Sequence, residues 1–377
     1  MSGSVSLVWG EASMAYRLSE EHPLQPLRVQ LTVELIRELG LDALAEIVPP
    51  RPATDDEIAL CHAPSYIRLV EQLSADEPVP VSEAAAAGFG TPDNPIAPGM
   101  HEACAAVVGG SLVAAEAVHS GHALHAFNPA GGLHHAMRDR ASGFCVYNDV
   151  AAAVAWLRGR GHRVACVDVD VHHGDGTQTL FYTDPEVLTI SLHESGRYLF
   201  PGTGFPEERG EGPAAGTSAN LPLAPYTWDE PWLASFDAVV APLLRAFRPT
   251  VLVTQDGCDS HALDPLAHLL CSTAIWPHVG RRFHELAHEL CEGRWVATGG
   301  GGYAIREVVP RAWTLLFAEM VERPDLAAGL VDRERFAPEE VARDRVWTSL
   351  ERDLRSLSGE LGIPLSLEGT GPRPHDR

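Results

Sequence analysis

Apolar residues fall along this chain in two alternating rhythms. The runs "HALHAF" (122–127), "HRVACVDVDV" (162–171), "VLTISLH" (187–193), "TVLVTQDG" (250–257) and "RWVATGG" (294–300) are short, β-branched and largely apolar. That is the pattern of strands covered on both faces. Between them lie longer helical patterns over 99–121, 148–161 and 229–247. The second opens on Asn148, a favourable helix cap, and closes on glycines. The alternation predicts an α/β fold in which one parallel sheet is wrapped by helices on both faces. Two stretches break the rhythm, 76–98 and 194–227, both rich in Gly, Pro and acid. They read as long loops forming a functional rim. After about residue 323 the chain turns charged and Pro-punctuated. We expect a main domain over 1–323, then a C-terminal helix and a frayed tail, "EGTGPRPHDR", within 324–377.

Composition narrows the class. With 377 residues, 45% hydrophobic and 21% charged, the chain suits a soluble globular protein of one large or two ordinary domains. No stretch reads as the roughly 18 apolar residues of a membrane helix. The start, "MSGSVSLVWGE", lacks the basic and apolar regions of a signal peptide, so no membrane is expected and the cytoplasm is the expected location. Seven scattered cysteines without a C-x-x-C pair argue against a disulfide framework or a cysteine zinc knuckle. A net charge of −23 repels phosphate backbones, so no nucleic-acid partner is expected. It would attract basic peptides or polyamines, or serve solubility alone.

The polar residues change the picture most, because they gather at strand ends. In open α/β sheets ligands bind at the carboxyl ends of strands. There the chain places His134 and His135, then Asp168, Asp170, His172, His173 and Asp175, then Asp256 and Asp259, then four glycines and Tyr303. Residues two apart on an extended chain share a face, so Asp168, Asp170 and His172 point the same way. Asp170 and His172 with a third carboxylate make an O/N/O set that leaves metal positions open, as a catalytic divalent site requires. Asp259, just past "TVLVTQ", is the natural third ligand. Zinc suits this set, with iron(II) or manganese compatible. A satisfied polar cap over the sheet edge is the lesser reading of the cluster taken alone. The His134–His135 pair offers a general base and a general acid, with Asp168 and Asp175 as carboxylates to set them apart. Alone, such a pair is an ordinary surface feature. The glycines would let the backbone bring Tyr303 close to the metal, and no Lys–Ser/Thr follows to make a phosphate loop.

Together, "GGLHHAMRDRASGFCVYND", "DVDVHHGDGTQ", "ISLHESGRYLFPGTG", "QDGCDSHALDPL" and "GGGGY" resemble the histone deacetylase superfamily, and within it the bacterial acetoin-utilisation (AcuC-type) group. "HPLQPLRVQLTVELIRELGL" and "GTPDNPIAPGMHEA" fit too, so the resemblance covers about residues 6 to 320. It implies an arginase/deacetylase fold, an eight-stranded parallel sheet, and zinc on Asp170, His172 and Asp259. His134 and His135 would be the imidazole pair backed by Asp168 and Asp175, and Tyr303 would polarise the amide carbonyl. Phe144 and Phe200, with Gly143 and Gly301, would wall the acyl-lysine tunnel, and Asp93 would hold the substrate backbone at the rim. Arg28 matches the arginine lining the family's internal acetate channel. Structural potassium would sit on Asp168, Asp170, His172, Ser191 and Leu192, and on Phe181, Asp184, Val187 and Thr217, the second set mostly through backbone carbonyls. The implied reaction is hydrolysis of acetyl-lysine on proteins, an acetyl-CoA synthetase among them, with acetylpolyamine as the alternative substrate. Asp256–Gly257–Cys258 is more charged than the matching segment in relatives, which implies an altered substrate fit. Pro92 stands where some relatives carry an aromatic, which bears on the rim.

Three rivals remain. "HELAH" (284–288) satisfies the H-E-x-x-H motif of zinc proteases, but no "G-x-x-H" extension follows, and a solvated helix face accounts for it. A two-manganese ureohydrolase would need an acid where Gly174 stands, and His261 replaces a second acid two positions after Asp259. A silent acyl-lysine-binding module would have lost Tyr303, a metal ligand or a histidine, and none is lost.

Overall fold

The computed structural model describes residues 5–367. Eight strands form one sheet: β1 (Val5–Val8), β2 (Glu46–Val48), β3 (His125–Asn128), β4 (Val164–Asp168), β5 (Val187–Glu194), β6 (Ser218–Leu223), β7 (Val251–Gln255) and β8 (Trp295–Thr298). Their order is β2-β1-β3-β8-β7-β4-β5-β6 and every pairing is parallel. Side chains alternate between two cores, one on each face. In β4, Ala165 and Val167 join one core, while Val164 and Cys166 join the other. The first core is closed by helices Leu27–Glu38, Asp229–Phe247, Ile275–Leu290 and Val309–Met320. Helices Pro64–Ser74, Met100–Ser120 and Asp149–Arg158 close the second. This is the predicted doubly covered sheet.

Several expectations need correction. The 194–227 stretch contains β6, and the 76–98 stretch contains a short helix, Val81–Ala86. β6 carries Pro222, which a strand tolerates only at a sheet edge, and β6 is an edge strand. Helix Met100–Ser120 is in fact long and apolar enough to cross a membrane, with a mean hydropathy of 1.4, but 67% of that window is buried inside the protein, as for a core helix. The C-terminal helix, Glu340–Leu361, is present, and its Leu350, Leu354 and Leu357 enter the first core, so packing does not break at 323. The segment "EGTGPRPHDR" lies outside the described residues. All seven cysteines are free and buried.

Candidate active site

β3, β8, β7 and β4 are neighbours at the centre of the sheet, and the segments leaving their carboxyl ends meet. The turn after β3 is pinned by Asp149, whose buried carboxylate accepts the N–H groups of Gly132 (3.0 Å) and Leu133 (2.7 Å). Asn148 caps helix Asp149–Arg158 by accepting from the Ala151 N–H, and its amide donates to the His134 carbonyl at 3.0 Å. The helix start therefore sets the histidine pair. After β4, Asp168 accepts the Asp170 N–H and Asp170 accepts the His172 N–H, a chain of tight turns that directs the three side chains.

Asp170, His172 and Asp259 come together as read from sequence, and all three are buried. His172 Nδ1 lies 3.1 Å from Asp170 Oδ1 and 3.1 Å from Asp259 Oδ2. Gln255 Nε2 (2.8 Å) and the Gly301 N–H (2.6 Å) both donate to Asp170 Oδ2. Gly301 has to be glycine, since a Cβ there would fall 1.9 Å from Asp259 Oδ2; at Gly257 it would fall 2.0 Å from Asp170 Oδ2. Burial would lower the His172 pKa, yet hydrogen bonds and charge from Asp170 and Asp259 raise it to about 10. Burial and the neighbouring Asp170 push Asp259 up to about 7. Burial also works to raise Asp170, but His134 and His172 hold it well below the usual range. Two crowded buried carboxylates and an imidazole in so negative a field fit a divalent cation.

The histidine pair is asymmetric. His134 Nδ1 meets Asp168 and His135 Nδ1 meets Asp175, both at 2.7 Å, and their Nε2 atoms are 3.1 Å apart. Burial lowers both rings. For His134 the charges of Asp168 and Asp170 overturn this and raise it to about 9. For His135 the neighbouring His134 reinforces burial and outweighs Asp175, leaving it at about 4. The carboxylates thus favour the charged form of His134, while burial and His134 favour the neutral form of His135.

A cleft of ≈ 210 Å³ opens above these groups, between Phe144 and Phe200 and over His135, His172 and Tyr303. Gly143 and Asp93 also line it, as do Leu199 and Leu266, which sequence reasoning missed. Burial, then Asp259 and Asp170, push the Tyr303 phenol well above its ordinary value, so it keeps its proton as a donor. Asp264, also missed, accepts the N–H of Tyr303 (2.8 Å) and of Leu266 (3.0 Å) and so ties the two together. His22 packs edge-on against Phe144 and bonds the Asp93 carbonyl at 3.3 Å, linking wall to rim. The signals for Asp264 and Gln255 were present in "QDGCDSHALDPL", but nothing in spacing reveals a carboxylate that holds backbone.

Other residues fall elsewhere. Arg28 is buried outside the cleft lining, donating to the carbonyls of Gly300 (2.6 Å) and Gly302 (3.1 Å), so it braces the glycine segment from behind. Asp256 does not touch the cleft. It is fully buried, accepts from Thr254 Oγ1 at 2.6 Å, and burial raises its pKa well above the usual range, so its charge cannot alter substrate fit as expected. Of the potassium positions, Asp168 and Ser191 are register partners on β4 and β5. Phe181, Asp184 and Val187 form one turn, with the Thr217 carbonyl accepting from Thr189 on the adjoining strand.

The comparisons agree with this geometry. Residues 22–320 match the histone deacetylase domain. The chain is 44% identical over 314 residues to acetoin utilization protein AcuC of Bacillus subtilis (strain 168), covering 83% of this chain and 81% of that one. It is 38% identical over 334 residues to AcuC of Staphylococcus xylosus, covering 88% and 86%. The crystal structure of a histone deacetylase homologue from Aquifex aeolicus superposes with a TM-score of 0.82 at 30% identity, covering 93% of this chain and 99% of that one. Four strand ends, the paired histidines and a match across most of the length lead to one conclusion: the chain belongs to the histone deacetylase family.

Proposed function

We propose that this member of the family is a zinc-dependent protein lysine deacetylase of the cytoplasm, releasing acetate from acetyl-lysine side chains. The observation that carries the reading is the cleft: aromatic walls of Phe144 and Phe200 end on His135, His172 and Tyr303, while Asp93 stands exposed at the rim. Aromatic walls suit an aliphatic stem with a neutral amide tip, and an exposed carboxylate suits the backbone N–H groups of a peptide. Asp170, His172 and Asp259 would hold the zinc, which when bound supplies Lewis acidity and an acidified water. Neutral His135 takes the attacking water's proton, and its Nδ1 contact with Asp175 steadies the ring as it becomes charged. His134, whose charged form Asp168 and Asp170 favour, keeps positive charge beside the developing anion. The Tyr303 hydroxyl donates to that oxyanion, and His135 returns its proton to the leaving lysine amine. Potassium on the two sets named from sequence would be structural.

The −23 net charge supports basic residues flanking the acetyl-lysine, and an acetyl-CoA synthetase is one such metabolic protein substrate. The test is a kinetic panel of acetyl-lysine peptides and acetylated polyamines on zinc-reconstituted protein. Peptides should give the higher kcat/KM, and Asp93→Ala should hurt peptide turnover more than that of a small acetyl-lysine analogue without backbone amides. Acetylspermidine-type amines turned over faster than every peptide would assign the site to polyamines instead.

A further inference from the structure

The amino end of the sheet carries a second group of histidines. His125 opens β3, in register with Trp295 at the start of β8, so it sits at the end opposite the active site. His284 and His288 lie one turn apart near the end of helix Ile275–Leu290. Their rings crowd His125, with centroids at 4.8 Å and 5.2 Å from it and 4.6 Å from each other. One nitrogen from each ring lies within 4.8 Å of the other two. Yet no hydrogen bond is recorded among the three. The Nδ1 atoms of His125 and His284 are both buried without a partner, and His125 itself is 1% exposed. Buried polar atoms are nearly always satisfied, so two orphaned nitrogens within one three-histidine cluster call for a ligand.

We propose that His125, His284 and His288 form a second metal site, taking a borderline divalent transition cation of the zinc class. Three imidazoles and no carboxylate disfavour magnesium and calcium, which require oxygen. A tetrahedral zinc with Zn–N of about 2.0–2.1 Å needs nitrogens roughly 3.3 Å apart. Closing from at most 4.8 Å asks only for ring rotation on the half-buried His284 and the exposed His288. Glu322 Oε1 lies 3.5 Å from His284 Nε2, the carboxylate-behind-histidine arrangement that leaves Nδ1 free to ligate. The exposed edge at His288 gives the ion a way in. Glu285, the acid of the H-E-x-x-H motif, points instead to Arg282, so the site has no peptidase base. The motif is therefore neither a protease signature nor a merely solvated helix face.

The test is Zn²⁺ uptake by metal-depleted protein, read as ions per chain after equilibrium dialysis, with Co²⁺ absorption as a second probe. Wild type should hold two ions, the weaker at the three-histidine site, which has no carboxylate ligand. The His284→Gln/His288→Gln protein should hold one, with kcat/KM for an acetyl-lysine peptide within two-fold of wild type. Should the double variant fold poorly, His288→Ala alone should weaken the second ion at least ten-fold and remove its Co²⁺ band. Wild type holding one ion, or His288→Ala binding the second as tightly as wild type, overturns the proposal. Loss of hydrolysis with two ions still bound would count against the proposed activity and leave the second site standing.

Discussion

Two groups of histidines stand at opposite ends of the same sheet, and they behave in opposite ways. At the carboxyl end His134, His135 and His172 each meet an aspartate within 3.1 Å. At the amino end His125, His284 and His288 meet mainly each other, with Glu322 no closer than 3.5 Å. Burial pushes His134, His135, His172, His125 and His284 toward neutrality. Where two carboxylates surround a ring, as at His134 and His172, they reverse that push. With one carboxylate and a charged neighbour, as at His135, burial wins. With histidines alone, as at His125, it wins by more. The count of nearby carboxylates, not the depth of burial, separates a proton holder from a base.

The comparison breaks first if Asp259 is not what makes the carboxyl end a cation site. Asp259→Asn should lose bound zinc and hydrolysis together, by metal analysis and acetate release; retained metal would remove Asp259 from the ligand set. Next comes the oxyanion. Tyr303→Phe should lower kcat ~10²- to 10³-fold with little change in KM. A loss seen only in KM would mean that the hydroxyl merely positions substrate.

Another buried histidine, His62, sharpens the rule about carboxylates. His62 Nε2 accepts the Asn148 N–H at 2.9 Å, and burial lowers its pKa to about 4. Its unfolded value is higher, near 6.5, so the unfolded chain takes up the proton first. The contribution is thus intact above pH 6.5 and lost as pH falls toward 4, by roughly 3 kcal/mol at most. Denaturant unfolding of His62→Gln from pH 7 to pH 4 should show a shallower loss than wild type; identical slopes would mean that His62 is not buried neutral. The smallest effect belongs to the amino end. Removing His284 and His288 should leave catalytic rate unchanged while the thermal midpoint loses its extra response to added zinc.

The carboxyl end was legible in the sequence because its residues sit two apart on strands and in tight turns, where spacing reports direction. Asp168, Asp170 and His172 share a face for that reason. Asp256 was misread because a resemblance gives a position without saying which way the side chain points. β6 was hidden by its own Pro222 inside a Gly- and Pro-rich stretch, and β2 by having only three residues. The amino-end group was half visible as "HELAH", but its third member, His125, arrives from a distant strand, and only packing brings it there.

The most direct test adds Zn²⁺ stepwise to metal-depleted protein while acetate release from an acetyl-lysine peptide is followed. The account predicts no release without metal, a rate that rises linearly to one ion per chain, and no gain beyond it. Full activity in the depleted protein, or a rate that rises only with the second ion, would contradict it.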